Sequence, residues 1–246
     1  MLFRSADEWV AAAIDELKRN PRVRLLPRTT AFGYFPHNHL GLSERLTDHL
    51  AAPPVGLARE RLWQVRAQQV VLATGSIEQP LVFPGNDRPG VMLAGAALRY
   101  LKEHAVLPGR RIVVATICDS AYRVALAMQA AGATVAQIVD LRPALSPAPQ
   151  DSWPDRARKA GIAVETGARV LGSRGFDHVS SVEIASLDAS GRPTGHRSID
   201  CDLLLVAGGH VPSVHLFSQS RGKLRYDDAL QAFVPGESAE QERSVG

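Results

Sequence analysis

A chain of 246 residues, 45% hydrophobic and 22% charged, can bury the core of one large domain or of two ordinary ones, which excludes disordered and fibrous classes. The net charge of +3 and pI near 9.1 arise from arginines scattered along the chain, a solvated surface rather than a nucleic-acid footprint, though a modest positive field suits a nucleotide phosphate. No apolar run reaches the length of a membrane span and no signal-peptide core opens the chain, so the expectation is a cytoplasmic protein with neither membrane nor nucleic acid as partner.

Residues 1–20 read as an amphipathic helix with Ser5 as N-cap, Glu8 completing a capping box, and Trp9, Val10, Ala13, Ile14 and Leu17 on one face; Asn20-Pro21 ends it. The stretch VRLLPRTTAFGYF is extended, and residues 37–57 read as polar loop or short helix. RERLWQVRAQQVVLATG gives strands near 62–65 and 70–73 joined by a short turn, and residues 91–105 read as helix. The clearest signal follows. RRIVVAT is a strand, DSAYRVALAMQAAG a helix closed by Gly132, and TVAQIVDLRP a second strand, a βαβ pattern for a parallel sheet covered on both faces. PALSPAPQDSWPD is a Pro-rich exit loop, and RARKAGIAVETGARV a helical turn and a strand. Two ribbon strands around Ala-Ser-Gly-Arg-Pro then lead to the buried strand of DLLLVAGGHVP.

Two strands emerge at small residues, Ala73-Thr74-Gly75 and Gly208-Gly209, where a backbone can come close to a nucleotide; a structural crossover needs small residues equally, and both readings stay open. Such strands flanking a βαβ segment suggest a two-dinucleotide-domain oxidoreductase fold, seen in part. The βαβ turn, residues 115–121, contains no glycine, and Asp119 would repel a phosphate, so this unit reads as scaffold with Asp119 and Ser120 as N-caps and Asp140 as an ordinary strand-end acid. His37, His39 and His49 lack Cys or acidic partners for a metal. Cys118 and Cys201 read as buried free thiols. No Gly-x-Ser-x-Gly elbow and no Cys-x-x-Cys appears, and no catalytic residue is assigned.

The segments ATGSIEQPLVFPGNDRPGVMLAGA, PGRRIVVATICDSAYRVALAMQAAGATVAQIVDLRP and CDLLLVAGGHVPSVHLFSQSRGKLRYDDALQAFVPG, with LLPRTTAFGYFPHNHL upstream, resemble the alpha subunit of heterotetrameric sarcosine oxidase; opine oxidase large subunits share the architecture. The resemblance implies an α/β fold of the two-dinucleotide-binding-domain, disulfide-reductase-like flavoprotein type, present in part. Residues 1–90 would belong to the first dinucleotide-binding domain, 91–206 to an inserted second one, and 207–246 to the return into the first. The glycine-rich βαβ is expected before Met1 and a folate domain after Gly246, so the expectation is a fragment of a longer chain or a truncated open reading frame.

The complete enzyme would oxidise sarcosine to glycine, pass the one-carbon unit to tetrahydrofolate, and send electrons through FAD and FMN to oxygen, with beta, gamma and delta subunits for partners. The alpha subunit would hold NAD. The resemblance places Thr30 and Ala31 beside the adenine, Thr74 and Gly75 in the same groove, and Ser244 to Gly246 toward the far end of the dinucleotide, with Gly208 and Gly209 as the second glycine exit. The alternatives are a self-standing NAD(P)H-dependent flavoprotein reductase, for which residues 115–121 lack the second fingerprint, and a non-catalytic interaction domain.

Overall fold

The computed structural model describes residues 6–143 and 150–245. The chain runs α1 (Ala6–Arg19), β1 (Thr29–Phe35), β2 (His39–Arg45), β3 (Glu60–Arg66), β4 (Val70–Leu72), β5 (Ser76–Glu78), β6 (Val91–Leu93), α2 (Ala94–His104), β7 (Arg111–Thr116), α3 (Ser120–Ala130) and β8 (Thr134–Asp140). It continues through α4 (Trp153–Lys159), β9 (Val164–Thr166), β10 (Ala168–Arg174), β11 (Ser181–Leu187), β12 (Pro193–Asp200), β13 (Leu203–Ala207), β14 (His210–Pro212), α5 (His215–Gln219), β15 (Leu224–Asp227), β16 (Ala232–Pro235) and β17 (Glu242–Ser244). These elements fall into two compact units: unit 1 comprises residues up to Gly75 and from Pro212 onward, and unit 2 comprises Ser76–Val211.

Unit 2 is built on a five-stranded parallel sheet in the order β6-β13-β7-β8-β9. Every residue of β13, and all of β7 after Arg111, is buried. Alternate side chains therefore go to opposite faces. Ile112, Val114, Leu203 and Leu205 meet a helical layer that includes Tyr122, Ala125, Met128 and Ala157. Val113, Ala115, Leu204 and Val206 meet the antiparallel sheet β10-β11-β12 through Val170, Val182 and Ile184. In α3 the buried Ala121, Tyr122, Val124, Ala125 and Met128 form one stripe at helical spacing, and Gly132 at φ +97° ends the run. At α4, the Ser152 hydroxyl accepts the Asp155 N–H and Pro154 sits in the first turn.

Unit 1 holds the antiparallel sheet β1-β2-β3, the parallel pair β4/β17 and the pair β15/β16. Its core gathers Tyr34, Val70, Leu72 and Phe217. The Tyr34 hydroxyl donates to Asn38 Oδ1 at 2.6 Å, and Asn38 Nδ2 donates to the Gln68 carbonyl at 3.1 Å. This buried asparagine holds the β1–β2 turn, where His37 and Asn38 both take positive φ.

Several sequence expectations change. Residues 37–57 are not only loop, because β2 fills 39–45 as the central strand between β1 and β3. The strands at 60–66 and 70–72 do not form a hairpin: β3 pairs with β2, and β4 pairs in parallel with β17 far along the chain. Residues 91–93 form an edge strand before α2 rather than the helix start, because they register with β13. The expected breaks after residues 90 and 206 move to Gly75/Ser76 and Val211/Pro212, since β6 belongs to the unit 2 sheet and the Gly209 carbonyl accepts the Gln79 N–H. Ser5 lies outside the described residues. Helix α1 forms as expected, with its apolar face open: Trp9 is 66% exposed.

Both thiols are free, Cys201 buried and Cys118 half-buried. Burial, aided by Asp202 and Asp200, pushes the Cys201 thiol up to about 11 from 9.0. A buried neutral thiol stabilises the fold fully below its unfolded value and loses that contribution as pH rises through the folded one. The expected outcome is a stability decline that begins near pH 9, read by urea denaturation, with the part between pH 9 and 10 lost in Cys201→Ala and the part above pH 10, to which the raised Tyr34 and Tyr122 phenols contribute, retained. Ellman's reagent near pH 8 should titrate Cys118 in the native protein and Cys201 only after unfolding.

Candidate functional site

In open α/β sheets, ligands gather at the carboxyl ends of the parallel strands. In unit 2 this edge begins at Thr116, the last residue of β7. Thr116 Oγ1 donates to the Cys118 carbonyl at 2.8 Å and accepts the Cys118 N–H at 2.9 Å, folding the turn tightly on itself. The Ile117 N–H donates to the Ala207 carbonyl at 3.1 Å, and Cys118 Sγ lies 3.1 Å from Ser120 Oγ. Side chains and hydrogen bonds thus fill the turn that a pyrophosphate would need open.

Asp119 precedes α3 but makes no side-chain cap bond, and its backbone is already helical. The expected capping role is therefore corrected. Its carboxylate instead accepts Arg142 Nη2 at 2.8 Å. The same Nη2 reaches Asp140 Oδ2 at 2.7 Å, while Arg142 Nε and backbone N–H lie 3.1 and 3.0 Å from Asp140 Oδ1. The Tyr122 hydroxyl also donates to Asp140 Oδ2 at 2.7 Å. Asp140 is buried, so this is no ordinary strand-end acid but the centre of a clasp joining β8, α3 and the following loop. Burial and the bond to Asp140 hold the Tyr122 phenol well above its usual range. The bond to Asp140 raises Arg142 further, outweighing the opposing effect of burial.

Asp140 stands where dinucleotide folds place the carboxylate that binds ribose hydroxyls. Both of its oxygens are engaged within the protein, and the turn at 117–119 is filled, so unit 2 does not fit NAD(P) at this position. The sequence signal for the clasp is Asp140-Leu-Arg142 together with Tyr122 in the first turn of α3, a spacing that matches no familiar motif.

In unit 1, Ser244 is in register with Leu72, and the Val245 N–H donates to the Leu72 carbonyl at 3.0 Å. Thr74 Oγ1 donates to the Ser213 carbonyl at 2.7 Å, and the Ser213 N–H to the Gly75 carbonyl at 2.9 Å. The fold therefore gathers Thr74, Gly75, Ser213 and Ser244 at the carboxyl ends of β4 and β17. Thr30 and Ala31 lie on β1, opposite Ser43 and Leu42 in the antiparallel sheet. Gly75 has φ +66° and open space where a side chain would begin, so backbone there is accessible to a ligand. This arrangement fits contact with part of a dinucleotide, through backbone more than side chains.

Gly208 and Gly209 belong to unit 2. A Cβ at Gly208 would lie 2.9 Å from the carbonyl oxygens of Gln79 and Pro80, so the protein's own backbone accounts for that glycine. Gly209, at φ +89°, faces Ile117. Gly246 lies outside the described residues. Among the described residues no three His, Cys, Asp or Glu side chains gather as a metal site, and no helix is long and apolar enough to cross a membrane.

No family model matches the chain. Among curated proteins it is 38% identical over 244 residues to the alpha subunit of sarcosine oxidase from Corynebacterium sp. (strain U-96), covering 98% of this chain and 25% of that protein. The corresponding alpha subunit from Rhizobium meliloti (strain 1021) is 39% identical over 95% of this chain and 22% of its own length. An opine oxidase subunit of Agrobacterium tumefaciens (strain Ach5) is 31% identical over 70% of this chain and 36% of its own length.

Among solved structures, L-proline dehydrogenase from P. horikoshii aligns with a TM-score of 0.63 at 20% identity, covering all of this chain and 40% of that one. Thioredoxin reductase from T. acidophilum aligns at 0.62 and 15% identity, over 98% of this chain and 71% of its own. These likenesses establish the α/β fold of the FAD/NAD(P)-dependent oxidoreductases expected from the sequence. The chain spans about a quarter of the length of the sarcosine oxidase relatives, and over that span nearly all of it is similar to their alpha subunits.

Proposed function

We propose that this chain is part of the alpha subunit of a sarcosine-oxidase-type amine oxidoreductase, with unit 2 as scaffold and unit 1 contributing part of an NAD groove. The observation that carries the reading is identity of 38% spread over 98% of the chain. In the complete enzyme, the secondary amine sarcosine would be oxidised to glycine, electrons would pass through FAD and FMN to oxygen, and tetrahydrofolate would take the one-carbon unit. Beta, gamma and delta subunits would be the partners. No residue of this chain is assigned to the chemical step. Thr74, Gly75 and Ser244 at the ends of β4 and β17 would line the groove, with Thr30 and Ala31 toward the adenine and Gly246 toward the far end.

The filled turn and the Arg142 clasp disfavour a self-standing NAD(P)H-dependent reductase, which would need unit 2 to seat the hydride donor. A non-catalytic interaction domain is separated from the main reading by experiment. A longer polypeptide in which a glycine-rich βαβ precedes residue 1 should bind NAD in calorimetry, because a phosphate-cradling turn would then be present. Absence of heat with that folded polypeptide favours the interaction domain.

The two glycine exits should respond differently. Gly208→Ala presses a methyl on two fixed carbonyls and should destabilise by about 1–3 kcal/mol without touching ligand affinity. Gly75→Ala meets no atoms and should cost about 1 kcal/mol of backbone strain, while weakening NAD binding in the longer polypeptide. Urea denaturation and calorimetry together read both effects.

Arg142→Gln leaves Asp140 buried with a weaker partner and should destabilise by about 2–3 kcal/mol, below the range for a fully buried pair because the guanidinium is partly open to solvent. A loss under about 0.5 kcal/mol in urea denaturation would mark the clasp as an ordinary surface pair.

A further inference from the structure

A cavity of about 220 Å³ opens at the carboxyl edge of the unit 2 sheet, on the face away from the helices. Its floor is Ala115 and Val139, at the ends of β7 and β8, and its walls are Phe83 and Val170. All four are buried members of the cluster between the two sheets, so the cavity opens into that core. Arg169 lies at the rim and is exposed. Its guanidinium has no hydrogen-bond, ion-pair or ring partner among the described residues.

We propose that this crevice binds a small planar anion, a single ring carrying a carboxylate or phosphate, with the ring between Phe83 and Val170 and the charge on Arg169. Three observations converge on it. The crevice occupies the edge where parallel sheets take ligands. An apolar cavity of about 150 Å³ already accepts benzene, so about 220 Å³ holds one ring and a short polar arm but no dinucleotide. The unpaired Arg169 supplies a fork suited to a carboxylate or phosphate, which a packing gap alone would not require.

The walls are also held in place. The Ser173 N–H donates to the Pro84 carbonyl at 3.1 Å, and Asn86 Nδ2 donates to the Leu81 carbonyl at 3.2 Å, fixing the segment over the crevice to β10 and to itself. A ligand would therefore meet a preformed wall and cost little ordering. The crevice belongs to unit 2 and the groove at Thr74 and Gly75 to unit 1, and the proposal stands independently of NAD binding there.

The test uses the 246-residue chain with 4-fluorobenzoate as probe, followed by fluorine NMR, and 4-fluorobenzyl alcohol as the uncharged match. The expected result is millimolar or tighter binding of the benzoate, with cross-relaxation from its ring protons to the methyls of Val139 and Val170. Arg169→Gln should weaken the benzoate about tenfold and leave the alcohol unchanged. Leu141→Trp, at an exposed position on the crevice edge, should block both probes. Circular dichroism confirms that each variant is folded, and the cross-relaxation in the unaltered chain decides the case if one is not. No binding at about 10 mM, benzoate affinity unchanged in folded Arg169→Gln, or cross-relaxation to methyls elsewhere each overturns the proposal.

Discussion

A strand buried on both faces has only its two ends left for polar chemistry, and β7 and β13 are such strands. Each residue of LLLVA packs either toward the helices or toward the antiparallel sheet, so a one-residue slip would exchange the two cores outright. This constraint drives the polar groups of unit 2 to the carboxyl edge. Thr116, Cys118, Asp119, Asp140 and Arg142 crowd there because the sheet interior cannot take them. The same edge is where open α/β sheets keep a ligand. Here internal hydrogen bonds occupy one side of it, and the crevice beside Arg169 lies on the other.

Much of unit 2 was legible in the sequence because its strongest determinant is local. RRIVVAT and DLLLVAGG announce buried strands by continuous apolar residues, and the helix between residues 120 and 130 declares itself by periodicity and a closing glycine. Unit 1 read less well for a physical reason. The strand at 39–45 carries polar and charged side chains on a mostly open sheet, so its composition imitates a loop. The pairing of β4 with β17 joins residues some 170 positions apart, and nothing near Val70 encodes it.

The sites show the same division. Glycines 75 and 208 carry identical letters, yet one is open and left-handed while the other is pressed between carbonyls of its own chain. Only the folded chain separates these causes. The clasp escaped because Asp119, Tyr122, Asp140 and Arg142 are ordinary surface letters until the fold buries Asp140 beneath them. Family resemblance could be read directly from long matching segments, whereas the residues that shut the second nucleotide position follow no recognised motif.

The ends of unit 2 leave side by side, since the Gly208 N–H donates to the Gln79 carbonyl and the Gln79 N–H donates to the Gly209 carbonyl. The flanking residues Gly75 and Ser213 are likewise joined by a hydrogen bond. Such a topology makes the segment a removable cassette. Excising it and bridging the cut with a short linker would demand little loop-closure entropy from the host, and the freed piece could be transplanted into another scaffold through neighbouring attachment points.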